Sequence, residues 1–548
     1  MDIRGEGVLF SNPPKTFTRE ATGLVREISV FEYFMLNLNS VIPLFAPAFT
    51  AWFIWYAVPG GSVRLATVGA FLFGAFGYLA AFALMSASYP RSAAPYVATS
   101  RIIHPSIGWS LDVMVWLQST LFIGIIPASY LVGWGIAPGL YVYGVMTGNS
   151  AVQSFAAWAG SPVGVLAIGT IFLIVTVIPS IISVRASVRH LQTPLFVLSM
   201  LGTVLTVGIL LSSSHTQFVS AFKQLEPNLQ LDNLVPMAKQ LNPGAFVPVS
   251  FAFGTLAAAL GMTIGTTNSY WGSWVSGEVK GGASVRNQLL AMLIPGVILL
   301  SSVLAIITLE EIIAGRDVLI ALTQIGSLAG SNFQNPLFSG GIVTISIPYM
   351  LAGNPTVVLV LLICILAAAG SVMPYAWIAM SRSPFAWSFD RLIPEKFASV
   401  SDRFHTPVFT ILVALIVTEA WLVLAATTQY LGLLFTVTWV WGSGGPAILC
   451  LACALLPLRK QLWEQSAARK YQILGIPLAS ICGILGFLYL MNGELQYTFT
   501  PALGWGAQQT YIIGGSYLAV FLLYFVIRFI RQRQNISLDM LFRTIPPE

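Results

Sequence analysis

Two short polar clusters interrupt otherwise apolar stretches of this chain, and they are where its chemistry is expected. The first is Asn37-Leu38-Asn39-Ser40-Val41-Ile42-Pro43, which gathers two amides, a hydroxyl and a proline. The second runs from Gly261 through Thr263, Gly265, Thr266, Thr267 and Asn268 to Ser269, with Tyr270 and Trp271 immediately after it. Proline lacks an amide proton and clashes with the preceding turn, so a helix should break near Pro43, which suits the first turn of a second half-helix. Glycine, threonine, asparagine and serine are poor helix formers that cap new helix ends. Broken backbone offers free N–H groups at one end and free carbonyls at the other, matching the carboxylate and ammonium of a zwitterion. Taken singly, Asn37, Asn39 and Asn268 also read as hydrogen-bond glue between helices, and the glycines as packing.

The elements that must hold these clusters follow from composition. The 548 residues are 56% hydrophobic and 8% charged, with a mean hydropathy of +0.80; an ordinary soluble protein is about 25% charged. A soluble multidomain protein is excluded, and the lipid bilayer is the solvent for most of the chain. Forty-eight glycines and 31 prolines point to spans that are broken or closely packed. At about 20 apolar residues per span, spans are expected at 30–57, 65–88, 110–136, 163–183, 191–212, 245–275, 287–309, 355–380, 407–427, 430–456, 471–491 and 509–530. The expected fold is an all-α polytopic membrane protein with 12 transmembrane helices, spans 1 and 6 being discontinuous.

With an even number of spans, the 26 Lys and Arg residues divide 22 to 4 between the two sides. The richer side, which holds both termini, is expected to be cytoplasmic, in a cell membrane. The 213–244 and 310–354 connections then lie outside, the second folding as a cap over an outer vestibule. The net charge of +6 comes from basic residues between apolar runs, so it reads as topology and not as a nucleic-acid surface. Cys364, Cys450, Cys453 and Cys482 fall inside apolar runs, which indicates packing and no disulfide, metal or redox cofactor. The polar first 28 residues, with Lys15, Arg19 and Arg26, do not read as a cleaved signal. No nucleotide-binding loop and no Ser/His/Asp array at one membrane depth is apparent, so no enzyme and no cofactor is expected.

The two clusters lie five spans apart, an odd number, so the second five helices should run inverted relative to the first. This divides the chain into a cytoplasmic segment 1–29, a ten-helix core 30–456 with repeats 30–212 and 245–456, two additional helices in 471–530 and a cytoplasmic tail 531–548. Paired broken spans in inverted repeats are what alternating access needs.

Several motifs resemble the amino acid, polyamine and organocation permeases. Tyr89-Pro90-Arg91-Ser92-Ala93-Ala94-Pro95-Tyr96-Val97 is similar to their Pro-Arg-Ser-Gly-Gly-x-Tyr-Val loop, with alanines and a proline where the family has glycines. Gly277-Glu278-Val279-Lys280 is similar to their Glu-Val-Lys element. The stretch from Ser381-Arg382 through Asp390-Arg391-Leu392-Ile393-Pro394 to Thr406-Pro407 resembles their loop between the eighth and ninth spans. The resemblance implies a leucine-transporter-like fold of five plus five inverted helices and transport of amino acids or organic amines. It places the glycine-rich break of the first span on Asn39, Ser40 and Val41, and a sixth-span glycine on Asn268. Amides or other larger residues thus stand where close backbone approach to a substrate carboxylate is usual.

The expected substrate site comprises Asn39, Ser40, Val41, Thr266, Thr267, Asn268, Tyr270 and Trp271, with Trp274, Tyr375 and Trp377 as further aromatics near the cavity. Arg91, Glu278, Lys280, Arg382 and Asp390 read either as a gate of ion pairs or as topology anchors and solvated caps. For a coupling proton or sodium ion, the candidates are the hydroxyl of Ser371, the intramembrane acid Glu419 and the cytoplasmic-end acid Glu32. Some members of the resembled family carry a lysine in the fifth span, but residues 191–212 hold no charge. A receptor that binds an amino acid without flux, and a nucleobase carrier on the same fold, remain open.

Overall fold

The structure, a computed structural model, describes residues 26–40, 42–263, 268–328, 336–428, 431–503, 506–542 and 545. The first apolar stretch forms two helices, α1 (Val30–Asn39) and α2 (Ala46–Ala57). Beyond them lie α3 (Val63–Ser88), α4 (Pro105–Thr147), α5 (Pro162–Ile182) and α6 (Val184–Ser212). The stretch expected as the sixth span holds the short helix α7 (Phe253–Gly261) and, past residues 264–267, a 3₁₀ segment Trp271–Glu278. Then come α8 (Val285–Ile313), α9 (Pro355–Phe389), α10 (Val408–Thr427), α11 (Leu431–Leu458), α12 (Leu478–Phe499) and α13 (Gln509–Arg533). Among the described residues, ten helices are long and apolar enough to cross a membrane; α1, α2 and α7 are not among them.

Local sequence sets the helix ends. Ser29 opens α1 with a capping box: its hydroxyl accepts from Glu32 N–H at 3.2 Å, and the Glu32 carboxylate accepts from Ser29 N–H at 2.8 Å. Before α2, Ala46 N–H donates to Ile42 O at 3.1 Å, closing a turn over Pro43, and it is Pro47 that stands in the first turn of the helix, where its missing N–H costs nothing. Asn354 and Pro355 start α9 in the same manner, the amide oxygen accepting from Thr356 N–H at 2.8 Å.

Three helices contain wide π-helical turns, at Gly74–Leu79 in α3, Pro127–Ile136 in α4 and Ser187–Gln192 in α6. In α4 the turn begins at Pro127, which cannot donate to the ladder. The 310–354 connection carries helices Arg316–Leu328 and Ser346–Leu351. Its first helix is tied to the end of α2: Gln324 Nε2 donates to Trp55 O at 2.9 Å, and Trp52 Nε1 to Ser327 Oγ at 2.9 Å.

Two expected boundaries are corrected. The apolar run of the eighth span stops at 380, but α9 continues to Phe389, so Arg382 is a buried helical residue and not a loop residue. Protein surrounds that last part as far as Ser388 and satisfies the polar side chains hydropathy would exclude. Likewise α12 runs past 491 to Phe499, which brings Glu494 inside a helix.

Candidate functional site

The end of α1 meets the start of the 3₁₀ segment through a small set of hydrogen bonds. The Ser40 hydroxyl reaches both Asn37 O (2.6 Å) and Asn268 O (2.9 Å). Asn37 Oδ1 accepts from the backbone N–H of Gly272 at 2.9 Å. Only glycine permits that approach, because a Cβ at 272 would lie 2.7 Å from the Tyr33 ring and 2.8 Å from Asn37 Oδ1. Asn39 donates to Met35 O at 2.6 Å, while its Oδ1 is buried with no hydrogen-bond partner among the described residues.

Two small cavities flank this junction, and Asn268 and Trp439 line both. One, of about 40 Å³, is bordered by Ser40, Phe49, Phe53 and Tyr130. The other, of about 30 Å³, is bordered by Gln118, Tyr270, Trp271, Thr438 and Ser443. Each holds about one water, so no amino acid fits without movement. The indole N–H of Trp439 is buried with no acceptor among the described residues, and it stands beside both cavities. Tyr270 stacks on Trp271 (5.3 Å between centroids, 20°), and Trp271 on Trp274 (5.1 Å, 29°).

Ser40, Asn268, Tyr270 and Trp271 are thus brought together. Asn39 adjoins them in sequence without lining either small cavity, and Val41, Thr266 and Thr267 lie outside the described residues. Sequence reasoning missed Gln118, Thr438, Trp439 and Ser443. The last three belong to a run of small and polar residues in α11, Thr436 to Pro446, the kind of signal that singled out the first two clusters.

A third cavity, of about 1080 Å³, opens on the side carrying the 310–354 connection. Its wall includes Trp52 and Tyr56 of α2, Trp134 of α4, Phe435 of α11 and Ser327 of the cap. Phe49 and Phe53 line both this cavity and the one at Ser40, so those two rings stand between them.

Toward the N-terminal segment, charge replaces aromatic surface. Arg382 grips Glu278 in a bidentate pair, Nε–Oε1 2.8 Å and Nη2–Oε2 2.7 Å, with both side chains buried. Asp390 pairs instead with Arg101, Nη1–Oδ2 2.8 Å and Nη2–Oδ1 2.6 Å, and also accepts from Tyr96 Oη at 2.6 Å. Asp112 accepts from Trp387 Nε1 at 2.8 Å. The candidate gate residues therefore divide. Glu278, Arg382 and Asp390 are in buried pairs, Arg101 being the partner not foreseen; Lys280 is exposed; Arg91 contributes its carbonyl to Ser276 Oγ at 3.2 Å. A main-chain bridge adds to this layer: Ile28 N–H donates to Glu278 O (3.2 Å) and Lys280 N–H to Ile28 O (2.8 Å), while the Arg26 side chain donates from Nε to Gly277 O (2.9 Å).

Residues 28–527 match the family described as amino acid permease. The chain belongs to that family. No curated protein matches it. The permease is accordingly a multi-pass membrane protein of a transporter family, and the family takes amino acids as its small-molecule substrates.

The ion-coupling candidates are dispersed in the permease. Ser371, buried in α9, donates to Ala368 O of its own helix at 2.9 Å. Glu419, on α10, accepts from the hydroxyl of Thr170. Glu32 is paired with Arg185 (3.2 Å) and Arg189 (2.9 Å). None of the three lines the cavities described. Glu494 comes nearer, accepting from the hydroxyl of Ser443 in the wall of the 30 Å³ cavity.

Proposed function

We propose that the permease moves amino acids or related organic amines across the cell membrane by alternating access, with both termini cytoplasmic. In this reading α1 with α2, and α7 with the 3₁₀ segment, are the interrupted first and sixth of twelve spans. Repeats 30–212 and 245–456 are inverted, and 471–530 adds two helices. The observation that carries the reading is the junction at Ser40 and Asn268. The end of α1 and the start of the 3₁₀ segment meet there, beside an indole donor without an acceptor among the described residues and two water-sized cavities, with the large cavity beyond Phe49 and Phe53. The substrate carboxylate takes free N–H groups and the Trp439 indole; its ammonium takes carbonyls freed at the breaks and the Asn39 amide oxygen. Thr266, Thr267 and Val41 complete that site, with Tyr270 and Trp271 as its floor.

For coupling we favour a cation at Ser371 over a proton at Glu419. A hydroxyl that donates to its own helix keeps lone pairs for a cation, and α1 ends in carbonyls that lack helical partners.

Purified permease in proteoliposomes tests this. Labelled amino acid should accumulate against unlabelled amino acid inside, and Ser40→Ala and Asn268→Ala should weaken its apparent affinity. Binding without any accumulation would instead make the protein a receptor, and competition by nucleobases but not amino acids would make it a nucleobase carrier. A cysteine at Ser214 should label from outside the cell; labelling from the cytoplasm alone would defeat the orientation.

A further inference from the structure

Resting on the reading just given, we infer that the substrate is an amino acid with a large uncharged side chain, and that the outer cavity holds a capture site for that side chain at Trp134 and Phe435.

The walls carry the argument. None of the residues lining the three cavities is Asp, Glu, Lys, Arg or His. The undescribed residues 41, 264–267, 329–335, 429–430 and 504–505 include none either. A lysine or glutamate side chain brought along this route would lose its hydration without meeting a counter-charge. An aromatic face returns part of that cost to a cation and none to an anion. The α-carboxylate and α-ammonium differ, because helix ends and amides await them at the junction.

The aromatic surface is organised. Tyr130 and Trp134 stand one turn apart in the π-helical turn of α4 and stack at 4.6 Å and 20°. Phe435 of α11 lies nearly parallel to both, 6.1 Å and 13° from Trp134 and 6.4 Å and 11° from Tyr130. Phe49 sets its edge against Trp134 at 5.1 Å and 73°. Trp134 and Phe435 face the outer cavity, Tyr130 the cavity at Ser40, and Phe49 both. The series of rings thus leads from the entrance to the junction. An apolar or aromatic side chain gains by offset stacking along it, and the outer cavity is roomy enough that small side chains would touch little of it. One carboxylate, Glu494, sits behind Ser443 and is held by its hydroxyl, so it defines the rival: a cationic substrate drawn by that acid.

The test is exchange of labelled phenylalanine in proteoliposomes of the full chain. Phenylalanine, leucine and methionine should compete, alanine about tenfold more weakly, and lysine and glutamate not at all at a hundredfold excess. Trp134→Ala should raise the KM for phenylalanine about tenfold while leaving the KM for alanine and the maximal rate nearly unchanged; Phe435→Leu gives the same split if Trp134→Ala does not fold. Uptake of lysine in preference, lost in Glu494→Gln, overturns the inference and leaves the transporter reading standing. So does an equal loss for phenylalanine and alanine in both variants, which reduces the rings to packing. Exchange of no amino acid whatever overturns the transporter reading itself.

Discussion

The two sides of the junction are built from opposite materials. Toward the N-terminal segment, Glu278–Arg382 and Asp390–Arg101 are buried bidentate pairs. Toward the 310–354 connection, a cavity of about 1080 Å³ is walled by rings and aliphatic groups without a single formal charge. A buried ion pair is strongly directional and expensive to separate, whereas ring contacts slide at little cost. The difference teaches that the charged side resists opening. The aromatic side can yield by degrees as substrate enters.

The comparison can be broken most severely at Arg382. Arg382→Ala leaves the Glu278 carboxylate buried and uncompensated, and should cost about 3–5 kcal/mol of stability. Thermal unfolding in detergent should show it, and Glu278→Gln combined with Arg382→Met should recover most of the loss. An unshifted midpoint in Arg382→Ala would mean that the pair is not dry. Next in size is the junction: Ser40→Ala or Asn268→Ala should weaken substrate binding by about 1.5–3 kcal/mol, roughly ten- to a hundredfold. Affinities equal to wild type in exchange assays would move the site elsewhere. On the aromatic side, Phe49→Ala should let an impermeant thiol reagent reach a Ser40→Cys probe from outside more quickly, the four native cysteines being buried and free. An unchanged labelling rate would show that Phe49 is not the barrier. The smallest effect is expected at Glu419→Gln, whose amide oxygen still accepts from Thr170, so uptake should be retained; Ser371→Ala should lower ion-driven uptake while sparing exchange. The reverse result would exchange their roles.

Much of this was legible in the sequence. Clusters of helix-breaking polar residues in apolar runs located the junction, because lipid tolerates such residues only where protein or water receives them. Glu278 and Arg382 were marked by their motifs, yet Arg101 was not, since a lone arginine between spans reads as a topology signal and its partner is 289 residues away. Hydropathy ended the eighth and eleventh spans early because it scores exposure to lipid, whereas Arg382 and Glu494 meet protein. Trp439 was missed for a different reason: a tryptophan in a membrane helix is ordinarily packing, and only the three-dimensional arrangement shows its N–H with no acceptor among the described residues.

The bridge between Ile28 and the Gly277–Lys280 segment is made of main-chain groups. Main-chain pairing is indifferent to side-chain identity but not to chain length. Substitutions of similar size at Ile28 should therefore be tolerated, unlike changes at Arg26 and Ser29, whose side chains bond Gly277 O and cap α1, while insertion or deletion of one residue there would throw the pairing out of register beside Glu278. At Ile28 the permease can drift in composition over evolutionary time, yet the approach to α1 cannot drift in length.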